Sequence, residues 1–433
     1  MTKITSVIIA ITTFLTSFFN LTITPEAPED TSDFTPVIRF VAASDSHIQI
    51  IGGTNSRRMR KAIKLAYDIA EKDEEYNKLD AALFAGDLTD GGMNMQFIGL
   101  KAAVDSVIKD ETKLLTIAAK SHDSSAKGNH IMIPYYKDIM DKDESDFHTV
   151  INGFHFIGIS VSQTEGEHYS EYQREWLRAE LDKAVADDPD KPIFVMQHEH
   201  IANTVYGSSE FEGWGNDYFR SILEDYPQVV DFSGHSHYPL NDPRSIWQGE
   251  FTAIGTGALY YVELTVDDTR TVNPDGHKQV STFWVVEVDA DNNIRLRGID
   301  LIAEEVIVEY VLRNPADPQN REYTPEKRVA LSTAPAFDEG AKVEMKKCLG
   351  NYTAKVPAAK STDGMEIFIY RAYVCDAQGN VLAEAKTLYD YYVAHPSETV
   401  EIELGKLPEG AEIVKVVAEN CYGIQSAPIE YAF

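Results

Sequence analysis

The sequence predicts an α/β layered domain followed by an all-β sandwich. Three observations carry this expectation. Short apolar runs alternate with helical periodicity from about residue 37 to 250. The pattern then turns to strands alone up to residue 300. After Asn314-Pro315-Ala316-Asp317-Pro318 the chain stays β-rich to its last residue. A length of 433 residues accommodates two such domains.

The elements follow in order. Residues 37–43 form a β-rich apolar run, and 57–71 have helical spacing, with Met59, Ile63, Ala66 and Ile69 on one stripe. Residues 81–85 read as a short buried strand, 94–107 as a helix and 113–119 as a strand. Another strand falls at 154–161, a charged helix at 170–185, and strands at 193–197 and 229–232. Strands at 251–254, 282–288 and 294–299 close the first domain, which is expected to span 37–300. Residues 301–318 read as a linker with an extended stretch at 302–311. Residues 319–433 then read as a sandwich, with strands at 365–375, 381–386, 399–404 and 412–418.

The N-terminus, residues 1–24, reads as an export signal or an N-terminal anchor. Lys3 precedes an apolar run from 4 to 19, which is short for a membrane span of ~20 residues. A secreted or extracellular-surface location is expected. The formal net charge of -30 argues against binding a nucleic-acid duplex, whose phosphates it would repel. No later segment reads as transmembrane, and no integral membrane partner is expected. Cys348, Cys375 and Cys421 allow one disulfide at most and lie far in sequence from the residues considered next.

Those residues are Asp and His at strand ends. Ser44-Asp45-Ser46-His47, Gly86-Asp87, Ser121-His122-Asp123, Gln197-His198-Glu199-His200 and Gly234-His235-Ser236-His237 each follow an apolar run. In open α/β sheets ligands bind beyond the carboxyl ends of the strands, so five strands would deliver these groups to one edge. Carboxylates with imidazoles suit borderline divalent metals such as Mn, Zn or Fe. Six side chains exceed the needs of one tetrahedral ion, so two ions are expected, with an Asp between them. Water held by such a pair is acidified to hydroxide, which suits attack on a phosphate ester. His130, His148, His155, His168, His277 and His395 read as surface or local hydrogen-bonding residues. Tyr206, Trp214, Tyr260 and Tyr261 flank the last two motifs and read mainly as core aromatics.

The order D-x-H, G-D, H-D, H-x-H, G-H-x-H resembles the calcineurin-like metallophosphoesterases over residues 37–300. The resemblance implies a four-layer αββα metallophosphoesterase sandwich and a secreted hydrolase of phosphate mono- or diesters working through a metal-bridging hydroxide. It implies Asp45, His47 and His237 as ligands of the first metal, Asp87 as the bridge, and His198 and His235 on the second metal. It implies that His122 assists the leaving group. The expected partner is a phosphate-ester small molecule or a phospho-substrate. His200 and Arg244 are further candidates for substrate contact, and Lys120 for neutralising a phosphate. Val416 to Pro428 resembles the end of a fibronectin-type-III or immunoglobulin-like module, implying a spacer or cell-surface contact rather than catalysis.

One departure stands out. The family reads G-N-H at the third motif, with Asn on the second metal; here Lys120-Ser121-His122 stands in that place. Ser121 fills the Asn position, or Asn129 of a nearby Gly128-Asn129-His130 does. The strand ending at 119 favours Ser121. A Ser hydroxyl is a poorer ligand, so the second ion is expected to bind weakly. The alternative function is then a catalytically weak metal-binding or surface-binding protein.

Overall fold

The computed structural model describes residues 34–433 apart from 210, 267, 268, 362 and 363. The expected export segment, 1–24, lies outside the described residues. Strand β1 (Pro36–Ala43) leads to helix α1 (Thr54–Glu71), then β2 (Ala81–Ala85), α2 (Asn94–Asp105), β3 (Lys113–Ile117) and α3 (Asn129–Ile139). A second run follows: β4 (Phe147–Ile151), β5 (Phe154–Gly158), α4 (Glu171–Asp187), β6 (Ile193–Met196), α5 (Arg220–Leu223), β7 (Val229–Ser233), β8 (Ile246–Gln248) and β9 (Thr252–Gly255). The chain then returns to the first sheet with β10 (Thr282–Asp289), β11 (Ile294–Asp300) and β12 (Glu305–Leu312).

Two six-stranded sheets result, ordered β12-β11-β10-β1-β2-β3 and β8-β9-β7-β6-β5-β4. The pairs β1–β2, β2–β3, β5–β6, β6–β7 and β7–β9 are parallel. Their strands are buried on both faces, as parallel strands require. One core packs α1, α2 and α3 on the outer face of the first sheet through Met59, Phe97, Tyr136 and Phe84. A second joins the two sheets through Phe40, Leu83, Phe156, Phe194, Phe232 and Trp284. A third packs α4 and α5 on the second sheet through Leu177, Leu181, Ile222 and Val195. The domain is therefore a four-layer αββα sandwich.

The expected linker 301–318 is corrected in its middle. Residues 305–312 are β12, paired antiparallel with β11. Leu312 joins the inter-sheet core, and Ile307, Val308 and Tyr310 pack against it, so this segment extends the sheet instead of spanning a gap. Helix α6 (Pro325–Leu331) follows, capped by Thr324 through the backbone N–H of Lys327.

Seven C-terminal strands make an all-β sandwich. They are β13 (Glu344–Cys348), β14 (Asn351–Pro357), β15 (Ile367–Cys375), β16 (Val381–Leu388), β17 (Thr399–Gly405), β18 (Ile413–Asn420) and β19 (Ile429–Ala432). The sheets are β13-β14-β17 and β16-β15-β18-β19, closed over Val356, Ile402, Tyr370, Val374, Val414 and Val416. The sandwich meets the αββα domain through Phe368, Ile369, Tyr391 and Tyr392 against Tyr206, Tyr238, Leu264 and Val266. Cys348, Cys375 and Cys421 are all free thiols.

Candidate metal centre

The parallel strands set the site. Because β1 and β2 run side by side, the loops that leave them stay paired. Asp45 N–H donates to Gly86 O at 3.1 Å and His47 N–H to Asp87 O at 3.0 Å. Asp45, His47, Asp87, His235 and His237 all have positive φ, between 43° and 72°. L-residues seldom adopt this left-handed region, and each costs on the order of 1–3 kcal/mol. The fold holds five of them together at the sheet edge. Two glycines admit the close approach. A Cβ on Gly86 would sit 2.7 Å from His198 Nδ1, and one on Gly234 would collide with Ser44 Oγ and Asp45 Oδ2.

The expected ligands converge in two groups, Asp45–His47–His237 and Asp87–His198–His235, and a third group, His47–Asp90–His122, adjoins the first. His47 Nε2 and His237 Nε2 are 3.2 Å apart. His198 Nε2 and His235 Nδ1 are also 3.2 Å apart. Asp45 Oδ1 lies 3.1 Å from His237 Nε2, 3.8 Å from His47 Nε2 and 4.0 Å from His198 Nε2. Asp87 Oδ2 lies 3.2 Å from His198 Nε2 and 4.0 Å from His47 Nε2, so it stands between the groups. Backbone carbonyls fix two tautomers: His198 Nδ1 donates to Ala85 O at 2.8 Å and His237 Nδ1 to Tyr261 O at 3.2 Å. Their Nε2 atoms are thereby turned to the cluster.

The charges have the same form. Burial alone would raise Asp45 and Asp87, yet the facing imidazoles hold both carboxyls well below the usual range. Burial opposes a proton on His198, but Asp87 carries it up to about 10. Burial and the neighbouring His198 push His235 down to about 4. Burial likewise lowers His47, whereas Asp45 outweighs burial and raises His237. In each imidazole pair one ring is thus raised and the other lowered, with their nitrogens only 3.2 Å apart. Asp45 Oδ1 is buried without a hydrogen bond, while His47 Nδ1 faces Asp90 Oδ1 at 3.6 Å and leaves Nε2 toward the cluster. An unpaired buried carboxylate oxygen beside converging imidazoles fits bound divalent cations.

The third motif lies against Asp87. Ser121 Oγ donates to Asp87 Oδ1 at 2.5 Å, and His122 N–H donates to the same oxygen at 3.0 Å. Asn129 is elsewhere occupied: its Nδ2 donates to Ser162 O, Thr164 O and Glu167 O. Geometry therefore puts Ser121, and not Asn129, beside the shared carboxylate. Asp123 ties the second and third loops together by accepting from Leu88 N, Thr89 N, Thr89 Oγ1 and Ala119 N.

Three further sequence candidates point away from the cluster. His200 is fully buried between Ser233 Oγ at 2.9 Å and Ser236 Oγ at 2.8 Å, and burial pushes its pKa down to about 3. It is a neutral prop for the last loop rather than a substrate contact. Arg244 is held by Asp242 through Nε at 2.8 Å and Nη2 at 2.6 Å and stacks on Tyr206 3.8 Å away. Its charge is spent near the second domain, where Tyr391 OH also donates to Asp242 at 3.0 Å. Lys120 Nζ donates to Gly166 O at 3.0 Å.

A cavity of about 370 Å³ opens beside His47 and His122. Asp90, Tyr260, Tyr261, Glu263, Asn273, His277 and Lys278 complete its wall. Tyr260 and Tyr261, expected mainly as core aromatics, are only partly buried here, 5.6 and 6.1 Å from the His47 ring. Burial pushes the Tyr261 hydroxyl up, and burial also raises the Glu263 carboxyl. His277 makes the local hydrogen bond expected of it, Nδ1 to Pro274 O at 3.0 Å, and also lines the cavity. Arg58 closes this wall from behind: its guanidinium donates to Leu259 O, Tyr260 O and Lys278 O. Glu263, Asn273 and Lys278 carried no sequence signal, because they follow the last motif by dozens of residues. Trp214 meets the His235 ring edge-on at 4.9 Å, and Tyr206 lies in the interdomain core.

An αββα sandwich that delivers Asp and His from parallel strand ends to one paired cluster defines a metal-binding hydrolase scaffold. The family comparison agrees with this class. Residues 38–239 match the family model of the calcineurin-like phosphoesterases, and the chain carries a calcineurin-like phosphoesterase domain. A curated relative, named a probable cyclic nucleotide phosphodiesterase from Rhodococcus erythropolis, is 29% identical over 195 residues. The match spans 43% of this chain and 60% of that relative's length. Among solved structures, a purple acid phosphatase from yellow lupin seeds aligns with a TM-score of 0.44 at 13% identity, over 65% of this chain and 55% of its own. GAP50 of Plasmodium, described as the anchor in the inner membrane complex, aligns with a TM-score of 0.41 at 14% identity, over 63% of this chain and 87% of its own.

Proposed function

We propose that this protein is a secreted, metal-dependent hydrolase of phosphate mono- or diesters. The observation that carries the reading is the pairing of two Asp/His groups around Asp87 at the mouth of a cavity. Asp45, His47, Asp87 and His237 would hold one divalent cation. Asp87, His198 and His235, with Ser121 beside them, would hold the other. When bound, two such ions acidify water and neutralise charge on phosphoryl oxygens.

The chain's own residues supply the rest. A carbonyl only accepts, so His122 Nδ1, 3.1 Å from Asp90 O, carries its hydrogen toward that oxygen. Nε2 is then the ring nitrogen left free on a side chain that lines the cavity, and when it carries a hydrogen it is the atom that hands a proton to the leaving oxygen. Lys278 brings positive charge to the cavity wall of an otherwise acidic protein. Tyr260 offers a ring face to the organic part of the ester. The C-terminal sandwich serves as a fibronectin-type-III-like spacer or surface contact.

Turnover of bis-aryl and mono-aryl phosphates with added Mn, Zn or Fe tests the reading. Metal-stimulated hydrolysis is expected, with His122→Ala slower by roughly 10²–10⁴-fold. No metal-stimulated turnover, with His122→Ala indistinguishable from the parent, overturns it.

Ser121 favours a second reading, in which the protein keeps one ion and works weakly or only binds. Its hydroxyl is engaged as a donor to Asp87, where the family places an amide carbonyl. Elemental analysis after dialysis separates the cases, and two tightly held ions per chain count against the weak form.

A further inference from the structure

We propose that the face beside the mouth of the Asp/His cluster, on the side of α1 and α2, docks on an anionic lipid bilayer. The charge pattern comes first. Acidic residues outnumber basic ones 69 to 39 in this chain, yet residues 46–67, 91–104 and 124–137 contain no Asp or Glu. The first of these stretches carries Arg57, Arg58, Arg60, Lys61 and Lys64. Arg58 is buried and Lys61 pairs with Glu304. Arg57, Arg60 and Lys64 have no carboxylate partner among the described residues, and Arg57 instead donates to Gly52 O at 2.8 Å and Thr54 Oγ1 at 2.9 Å.

The same stretches expose aliphatic side chains. Ile50 is 67% exposed and Met95 59%, and Ile51, Met93 and Ile98 are exposed beside them. They form one patch. The position a Cβ would take on Gly99 of α2 is 3.3 Å from Ile51 Cγ1, so the loop after β1 rests on α2. Lys127 Nζ donates to Asn94 Oδ1 at 2.5 Å, which brings the third acid-free stretch alongside. The patch adjoins the site directly. His47 is three residues before Ile50, Asp90 is three before Met93, and Gln49 Nε2 donates to Asp90 Oδ2 at 3.3 Å.

Exposed aliphatic side chains fringed by unpaired Arg and Lys are what a surface of anionic headgroups over acyl chains recognises. Elsewhere a chain of net charge -30 is repelled by such a surface. The acids beyond this face are screened over a Debye length of about 8 Å at physiological salt. Docking here places the cluster over the headgroup layer, so that esters presented at the bilayer enter the cavity.

The test uses the full chain and vesicles of neutral phosphatidylcholine, alone or with phosphatidylglycerol at roughly 3:1, in about 0.1 M and about 0.5 M salt. Co-sedimentation with the anionic vesicles is expected, weakening at the higher salt. The triple variant Arg57→Glu/Arg60→Glu/Lys64→Glu, and separately Ile50→Ser/Ile51→Ser/Met95→Ser, should each lower partitioning at least about tenfold. Circular dichroism and thermal midpoints show whether the variants remain folded. Equal binding to both vesicle types overturns the proposal, as does no binding. Binding that survives both variants also overturns it, by assigning the interaction to residues 1–33 or another part of the chain. If a soluble protein competes for this face while vesicles do not bind, the occupant is a protein and the lipid assignment falls.

Discussion

Asp231→Asn should stabilise the protein at neutral and higher pH. Asp231 lies in the middle of β7 with no exposed surface. Burial pushes its carboxyl up to about 7, against hydrogen bonds from Gln197 and Ser233 that favour the charge. Gln197 Nε2 donates to both carboxyl oxygens, at 3.2 and 3.3 Å. In the unfolded chain the same group titrates near its ordinary value of 3.8. Between these values the folded protein binds the extra proton, so stability falls as pH rises from about 4 to about 7 and levels off above. Roughly three pH units at about 1.4 kcal/mol each give on the order of 4 kcal/mol. Asparagine has no charge to bury. Gln197 Oε1 is buried without a hydrogen bond, so a rotated amide pair can satisfy both side chains. Urea unfolding of parent and variant in chelator, at about pH 4.5 and about pH 8, reads the difference. The variant should gain a few kcal/mol at the higher pH and little at the lower. Parallel pH profiles, or a loss at the higher pH, would refute the reasoning.

Three further outcomes follow from the site. Ser121→Asn places an amide carbonyl beside Asp87, and elemental analysis after dialysis should find the second ion better retained, by about tenfold or more in affinity. Gly234→Ala drives a methyl into Ser44 and Asp45, at a cost of about 1–3 kcal/mol in urea unfolding, with weaker metal retention. Arg58→Ala leaves Leu259 O, Tyr260 O and Lys278 O without their donor, costing about 2–4 kcal/mol; hydrogen exchange should quicken across 258–280, and KM should rise more than kcat falls.

The two Asp/His groups were legible because each is a local pattern with a local cause. Asp45, Asp87, His198 and His235 stand one or two residues beyond buried strands, and parallel pairing brings those ends together without further information. The cavity wall has no such cause. Tyr260, Glu263 and Lys278 reach the site because Arg58 of α1 clamps their loops, a contact about 200 residues long in sequence. Arg244 misled for a related reason. It stands seven residues past His237, but the intervening turn takes it to Asp242 and the second domain. Strand β12 was read as linker because its alternation follows a break after Asp300, although Val308 and Leu312 return it to the core.

The backbone of the cluster carries information that no motif spells out. Five ligand-type residues adopt the left-handed conformation; Asp and His enter it more readily than most L-residues, yet it still costs free energy. The cost is borne by the paired loops: Asp45 N to Gly86 O, His47 N to Asp87 O, and His235 N to Asp45 Oδ2 at 3.0 Å. These bonds fix each ligand through another ligand's loop. Loss of one loop should accordingly disturb both Asp/His groups together. Asp87, which stands between the groups, is also the carboxylate that Ser121 and His122 hold in place. The third motif thus acts on both groups through Asp87 even where its own side chain is a poor ligand.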